Sequence, residues 1–263
     1  VDDVDYLQVE STYGDREHSA RNTFAPQVAE LILETIKKNG KVIVPAFSVG
    51  RTQQMVYILH LLTGDGKIPK VPIFVDSPLS VNATEVYRLH PECFNEDIYT
   101  FLHEKENPFG MDNLTYIREQ SHSMKLNDLK EPAIIISASG MCEAGRIRHH
   151  LKNNIGNPNN LVLFIGYCAE NTLGAQILAG KSPVSIFGEP YEVRAKIASL
   201  DAISGHADKN ELKDYVNRMD GKFQNIFVVH GEESQSLAFA ETVKTIKPKS
   251  NVIVPQQGEG FVI

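Results

Sequence analysis

The sequence predicts an α/β fold built on a parallel sheet, and three observations carry that reading. Short runs of β-branched and aliphatic residues recur along the chain, amphipathic stretches separate them, and the turns between are made of small polar residues. Runs that are apolar at every position suit strands buried on both faces, as in a doubly wound parallel sheet.

The elements follow in order. Residues 6–10 (YLQVE) read as a strand ending in the carboxylate of Glu10. Residues 26–39 read as a helix, because Val28, Leu31, Ile32, Thr35 and Ile36 fall at i, i+3, i+4 spacing. Strands are then expected at 41–45 (KVIVP), 72–76 (PIFVD), 133–137 (AIIIS), 161–166 (LVLFIG) and 225–230 (NIFVVH), with helices at 51–62 and 145–153. The stretch 82–130 is different: it carries aromatics and acids without a period and is punctuated by Pro91, Pro108 and Gly110. Short helices and a loop hung on the sheet are the expectation there.

Composition narrows the function classes. A chain of 263 residues can bury a core of one or two domains. No apolar run reaches the ~18 residues a membrane span requires, and the opening VDDVDYLQVE has no basic stretch leading into an apolar one, so neither a membrane partner nor a signal peptide is expected. Cys93, Cys142 and Cys168 are odd in number and widely spaced, which argues against a disulfide framework or a cysteine zinc site and fits a reducing cytoplasm. A net charge of −7 weighs against a nonspecific nucleic-acid binder, but not against a nuclease whose basic residues are confined to one groove.

Two strand-to-helix loops carry the first chemical signal. The segments 46–52 (AFSVGRT) and 138–146 (ASGMCEAGR) offer small residues, hydroxyls and an arginine at the start of a helix. Free N–H groups at a helix N-terminus favour anions, and a guanidinium fork matches phosphate oxygens. Ser48, Arg51 and Thr52, with Ser137, Ser139 and Arg146, are therefore the candidate phosphate contacts. Neither loop has a nucleotide-cofactor fingerprint, so a small-molecule Rossmann enzyme is the weaker reading.

The histidines separate into two groups. His60, His90, His103, His149 and His150 read as solvated or hydrogen-bonded surface residues. His206 lies in ISGHAD, at a strand-to-helix junction, and His230 ends the run NIFVVH, where α/β folds gather reactive groups. Capping and catalysis are both open for each on position alone. A carboxylate such as Glu10, paired with a histidine, would fix its tautomer as a general acid or base requires.

Taken together and in order, ESTYGDR (10–16), PAFSVGRTQ (45–53), VDSPL (75–79), SASGMCEAGRIRHHL (137–151), SGHAD (204–208) and VVHGE (228–232) resemble the β-CASP branch of the metallo-β-lactamase fold. SASGMCEAGR is most similar to the bacterial relatives of the 3′-end cleavage factor endonuclease subunit. The resemblance implies a strand of the metallo-β-lactamase domain at 1–14, a Rossmann-like β-CASP domain with a parallel sheet at 15–200, and a C-terminal metallo-β-lactamase or RNA-specificity segment at 201–263. The β-CASP part would close over the metal site and form a groove for single-stranded RNA. In such enzymes two zinc ions share the hydroxide that attacks phosphorus. By the resemblance Glu10 is the acid of the first motif, His206 is the histidine that protonates the leaving oxygen, and His230 is a zinc ligand. Histidine at that last position is typical of RNA-cutting members.

One departure is large. The family's HxHxDH ligands cannot be placed in this sequence, and His230 alone should not retain a metal, since zinc takes about three or four protein ligands. The expectation is a C-terminal part of a longer zinc-dependent endoribonuclease, inactive alone, with the missing N-terminal half of the metallo-β-lactamase domain as partner and with two copies pairing. The competing reading is a non-catalytic RNA-binding or scaffold module whose metal site has decayed.

Overall fold

A computed structural model describes residues 4–105 and 107–262. From the amino end the chain forms β1 (Tyr6–Glu10), α1 (Arg21–Lys37), β2 (Val42–Pro45), α2 (Arg51–Gly64), β3 (Ile73–Asp76) and α3 (Pro78–Leu89). There follow α4 (Glu96–Lys105), β4 (Leu114–Ile117), α5 (Gln120–Lys125), β5 (Ile134–Ser137), α6 (Ile147–Asn154), β6 (Leu161–Phe164) and α7 (Leu173–Leu178). The rest is β7 (Val184–Ile186), β8 (Glu189–Tyr191), β9 (Lys196–Ser199), α8 (Lys209–Arg218), β10 (Asn225–Val229), α9 (Glu233–Ile246) and β11 (Asn251–Ile253). Two compact units result: Ala20–Ile203 forms one, and Val1–Ser19 with Ser204–Ile263 forms the other.

The larger unit is the expected α/β layer. Its sheet runs β4-β3-β5-β2-β6-β9 with every neighbouring pair parallel. Alternate residues of the central strands feed opposite cores. Val42, Val44, Ile134, Ile136, Leu161 and Leu163 meet Phe24, Val28 and Ile32 of α1 and Met55 and Leu59 of α2. Ile43, Ile135, Val162 and Phe164 meet Ile147 and Leu151 of α6 and Leu173 and Ile177 of α7. Both faces are covered, so the positions of these strands ahead of their carboxyl ends are apolar, and each buried aliphatic side chain contributes about 1.5–3 kcal/mol.

Three features differ from expectation. Helix α1 starts at Arg21, five positions ahead of Pro26, which lies inside it, and Phe24 of the first turn is buried in the core. Within 82–130 the chain is more regular than its composition suggests. Ser77 accepts a hydrogen bond from the Ser80 N–H (3.2 Å) with Pro78 at the first helical position, a strong start for α3. The stretch also holds β4, which with β9 closes the two ends of the sheet. Of β4 only Ile117 is buried, and no residue of β9 is, so neither edge strand shows the continuous apolar run of the interior ones.

In the smaller unit β1, β10 and β11 form a parallel sheet in which Glu10 stands beside Val229. Leu7, Val9, Ile226 and Val228 pack against Leu212 and Val216 of α8 and Phe239 and Val243 of α9. Tyr6, Gln8 and Phe227, between them in the strands, are not buried. Helix α8 opens on a capping box: Asp208 accepts from the N–H groups of Asn210 and Glu211, and Glu211 accepts from that of Asp208. No helix among the described residues is long and apolar enough to cross a membrane.

Candidate active site

Parallel pairing brings the first part of the site together. Glu10 ends β1, and His230 directly follows β10, so both stand at the carboxyl edge of the same sheet. His230 adopts a left-handed conformation (φ 54°) that turns the chain sharply. Gly231 is required there, because a Cβ at 231 would lie 2.5 Å from Ser11 Oγ and 2.7 Å from Ser11 O. His206 arrives from the loop ahead of α8, and its ring stacks on that of His230 with centroids 5.2 Å apart and planes at 29°.

Glu10 organises this group. Its Oε2 accepts from His206 Nδ1 (3.1 Å) and from the Thr12 N–H (3.1 Å), while Oε1 accepts from the Ala207 N–H (3.1 Å). Burial pushes the Glu10 carboxyl up. The Thr12 hydrogen bonds, the His206 charge and the Ala207 N–H outweigh that, holding it below the usual carboxylate value. An anionic Glu10 fixes the His206 proton on Nδ1 and leaves Nε2, on the other side of the ring, for chemistry.

Thr12 is the member that sequence reasoning missed. Its buried hydroxyl donates to the His230 carbonyl (2.9 Å) and stands 3.2 Å from His230 Nδ1. When that proton goes to the carbonyl, Oγ1 accepts from Nδ1–H, which frees His230 Nε2 as a lone-pair donor. The signal in the sequence was slight, a threonine two positions past Glu10, and only the turn at His230 gives it a role. Thr12→Val is expected to lower stability by about 0.5–1.5 kcal/mol in urea denaturation, since the His230 carbonyl and ring nitrogen lose their shared partner.

The second group of predicted residues sits at the carboxyl edge of the larger sheet, where β2 and β5 are neighbours. Thr52 and Ser137 are buried, their hydroxyls donating to the carbonyls of Phe47 (2.8 Å) and Asp76 (2.8 Å). Arg51 donates to Gln54 Oε1 (2.7 Å) and to the Ile203 carbonyl. Arg146 donates to Asp76 Oδ1 (2.7 Å) and to the carbonyls of Ile117 (3.3 Å) and Arg118 (2.7 Å). Ser48 is half-buried with Oγ 3.3 Å from Ser77 Oγ, and half-buried Ser139 accepts from the Ala144 N–H (3.3 Å).

Asp76 is the hub of that edge. Besides Arg146, its fully buried carboxylate accepts from Ser123 Oγ (2.5 Å) and His150 Nε2 (2.6 Å). His150, expected at the surface, is therefore in the interior, because α6 turns it towards the end of β3. His60, His90 and His149 carry hydrogen bonds or ring contacts at more open positions, and the side chain of His103 lies outside the described residues.

The Beta-Casp domain family matches residues 52–177, and the Zn-dependent metallo-hydrolase RNA specificity domain family matches residues 190–259. The chain belongs to the β-CASP metallo-β-lactamase family. The β-CASP match falls within the larger unit, while the RNA-specificity match covers α8, β10 and α9, which carry or flank His206 and His230. Among β-CASP relatives, Ribonuclease TTHA0252 of Thermus thermophilus is 34% identical over 238 residues, covering 90% of this chain and 54% of the relative. An RNase J-like protein of Methanocaldococcus jannaschii is 37% identical over 250 residues, 94% of this chain and 57% of the relative. The transcription termination factor FttA of Thermococcus kodakarensis is 33% identical over 248 residues, 91% of this chain and 38% of the relative. The chain thus spans about half the length of the first two and less of the third.

Proposed function

We propose that the protein to which these residues belong hydrolyses RNA phosphodiester bonds internally as a zinc-dependent ribonuclease, and that this chain supplies its general acid and one zinc ligand. The observation that carries the reading is the directional chain from Glu10 to His206. A carboxylate held anionic fixes the imidazole tautomer and leaves one nitrogen exposed at a sheet edge. His206 then protonates the leaving 3′ oxygen through Nε2, and Glu10 stabilises the ring while it carries charge. The half-covered parallel sheet of the smaller unit supports a further layer belonging to the same domain.

The zinc fit is partial. Glu10, His206 and His230 bring ligand atoms within 4.8 Å of one another. Glu10 and His206 are bonded to each other, however, so His230 Nε2 is the nitrogen this group leaves for a metal. One such ligand falls short of the three or four that zinc takes. When bound, zinc supplies Lewis acidity at the scissile phosphate. For RNA itself, the half-buried Ser48 and Ser139 keep the clearest claim to backbone contacts. Arg51 and Arg146 act by holding the loops that present them, and Thr52 and Ser137 by fixing those loops from inside.

The test is cleavage of a single-stranded RNA by the protein, with and without a chelator, beside His230→Ala. Internal cleavage that zinc restores after chelation, and that His230→Ala abolishes, is expected. Undiminished cleavage by His230→Ala, or in the presence of chelator, overturns the reading.

A further inference from the structure

We propose that Phe47 is a stacking platform for one nucleobase of the RNA, an inference that rests on the ribonuclease reading and adds to it the residue that grips a base. Phe47 lies in the loop after β2, at the carboxyl edge of the larger sheet, and is 45% exposed. An aromatic ring left in water is costly, and this one is held there firmly. Its carbonyl accepts from the Thr52 N–H (3.3 Å) and the Thr52 hydroxyl (2.8 Å), which pins the main chain.

The ring also rests on the neighbouring loop. A Cβ at residue 140 would lie 3.0 Å from Phe47 Cδ2 and 3.1 Å from Cε2, so one side of the ring lies against the main chain of Gly140, where a larger residue would displace it. Its exposure elsewhere is available to a partner. Phe187, a comparably exposed ring, is already taken, with the Arg148 guanidinium 4.3 Å from its centroid and His149 at 4.7 Å. Among the described residues no ring or guanidinium packs on Phe47 in this way.

The surroundings select a nucleotide. Ser48 and Ser139, which immediately follow Phe47 and immediately precede Gly140, offer hydroxyls for ribose or phosphate beside the ring. Val49, two positions further along the same loop as Phe47, is also exposed and adds apolar surface there. A π-face beside hydroxyls suits a base of any identity and reads no sequence, and such stacking is lost when the aromatic is truncated.

The experiment uses single-stranded RNAs carrying one 2-aminopurine at successive positions, bound to the protein under chelation. Wild type is expected to quench one position. Phe47→Ala is expected to lose that quench and to raise KM for cleavage about five- to a hundredfold, with kcat unchanged. Phe47→Trp is expected to restore both, and Phe47→Leu, which keeps the apolar contact with Gly140, to behave as alanine does. Wild-type KM and quenching in the alanine and leucine variants overturn the platform and leave the ribonuclease reading intact. Failure of the wild type to bind or cut any of the RNAs overturns that reading, and the platform with it.

Discussion

His206→Ala in the active protein is expected to lower kcat for RNA cleavage by about 10²- to 10⁴-fold, the usual worth of a positioned general acid, with little change in KM. The residue makes few structural contacts that would confound the result. Its ring meets Glu10, Thr12 and the face of His230, and its side chain is 40% exposed. Single-turnover cleavage checks the prediction, and partial rescue by added imidazole separates a lost proton donor from a lost shape. Glu10→Gln is expected to act in the same direction more weakly, because the amide keeps an oxygen for Nδ1 but no charge to stabilise the protonated ring. Full activity of His206→Ala removes the assigned role.

Asp76→Ala is expected to destabilise the larger unit by about 3–5 kcal/mol, the cost of breaking a buried ion pair from one side. Arg146 loses its carboxylate, and Ser123 and His150 lose their acceptor, all at the end of a central run of strands. The pH dependence follows from the same contacts. Burial raises the Asp76 carboxyl, but hydrogen bonds from His150, Ser123 and Arg146 outweigh it and hold the value below 3.8. A depressed folded-state value gives stabilisation that is complete above the unfolded-state value and is lost as pH falls through the folded one. Urea midpoints measured downwards from pH 5 are expected to fall more steeply for wild type than for Asp76→Ala. Parallel curves would show that the carboxylate contributes nothing through its charge.

How much of this was legible follows from where each residue sits. The runs KVIVP, AIIIS and LVLFIG announced β2, β5 and β6 because burial on both faces makes consecutive interior positions apolar. β4 and β9 escaped because edge strands mix polar and apolar residues. Glu10, His206 and His230 were legible as motif residues, and their register across the sheet is what gives them a common site. Thr12 was not legible, since its partner is a main-chain carbonyl 218 residues away. Nor was Asp76: VDSPL flagged the segment, but its partners Ser123, Arg146 and His150 come from 47, 70 and 74 residues further on. Loop chemistry read Arg146 and Thr52 as facing a ligand. The fold turns both towards carbonyls and Asp76, because a guanidinium or hydroxyl next to unsatisfied backbone acceptors binds them first.

The pairing of β1 with β10 also imposes an order in time. Ser11 and Val229, bonded side by side, are 218 residues apart. At about 5–20 residues per second, a ribosome that has made β1 works for roughly 10–40 s before β10 exists to receive it. Throughout that interval Leu7 and Val9 lack the β10, α8 and α9 residues they pack against, and Glu10 lacks His206. A nascent chain stopped before His206 carries the whole α/β layer but not the Glu10–His206 pair. The cluster of Glu10, His206 and His230 is thus among the last features this stretch of polypeptide acquires during synthesis, and an aborted product lacks it.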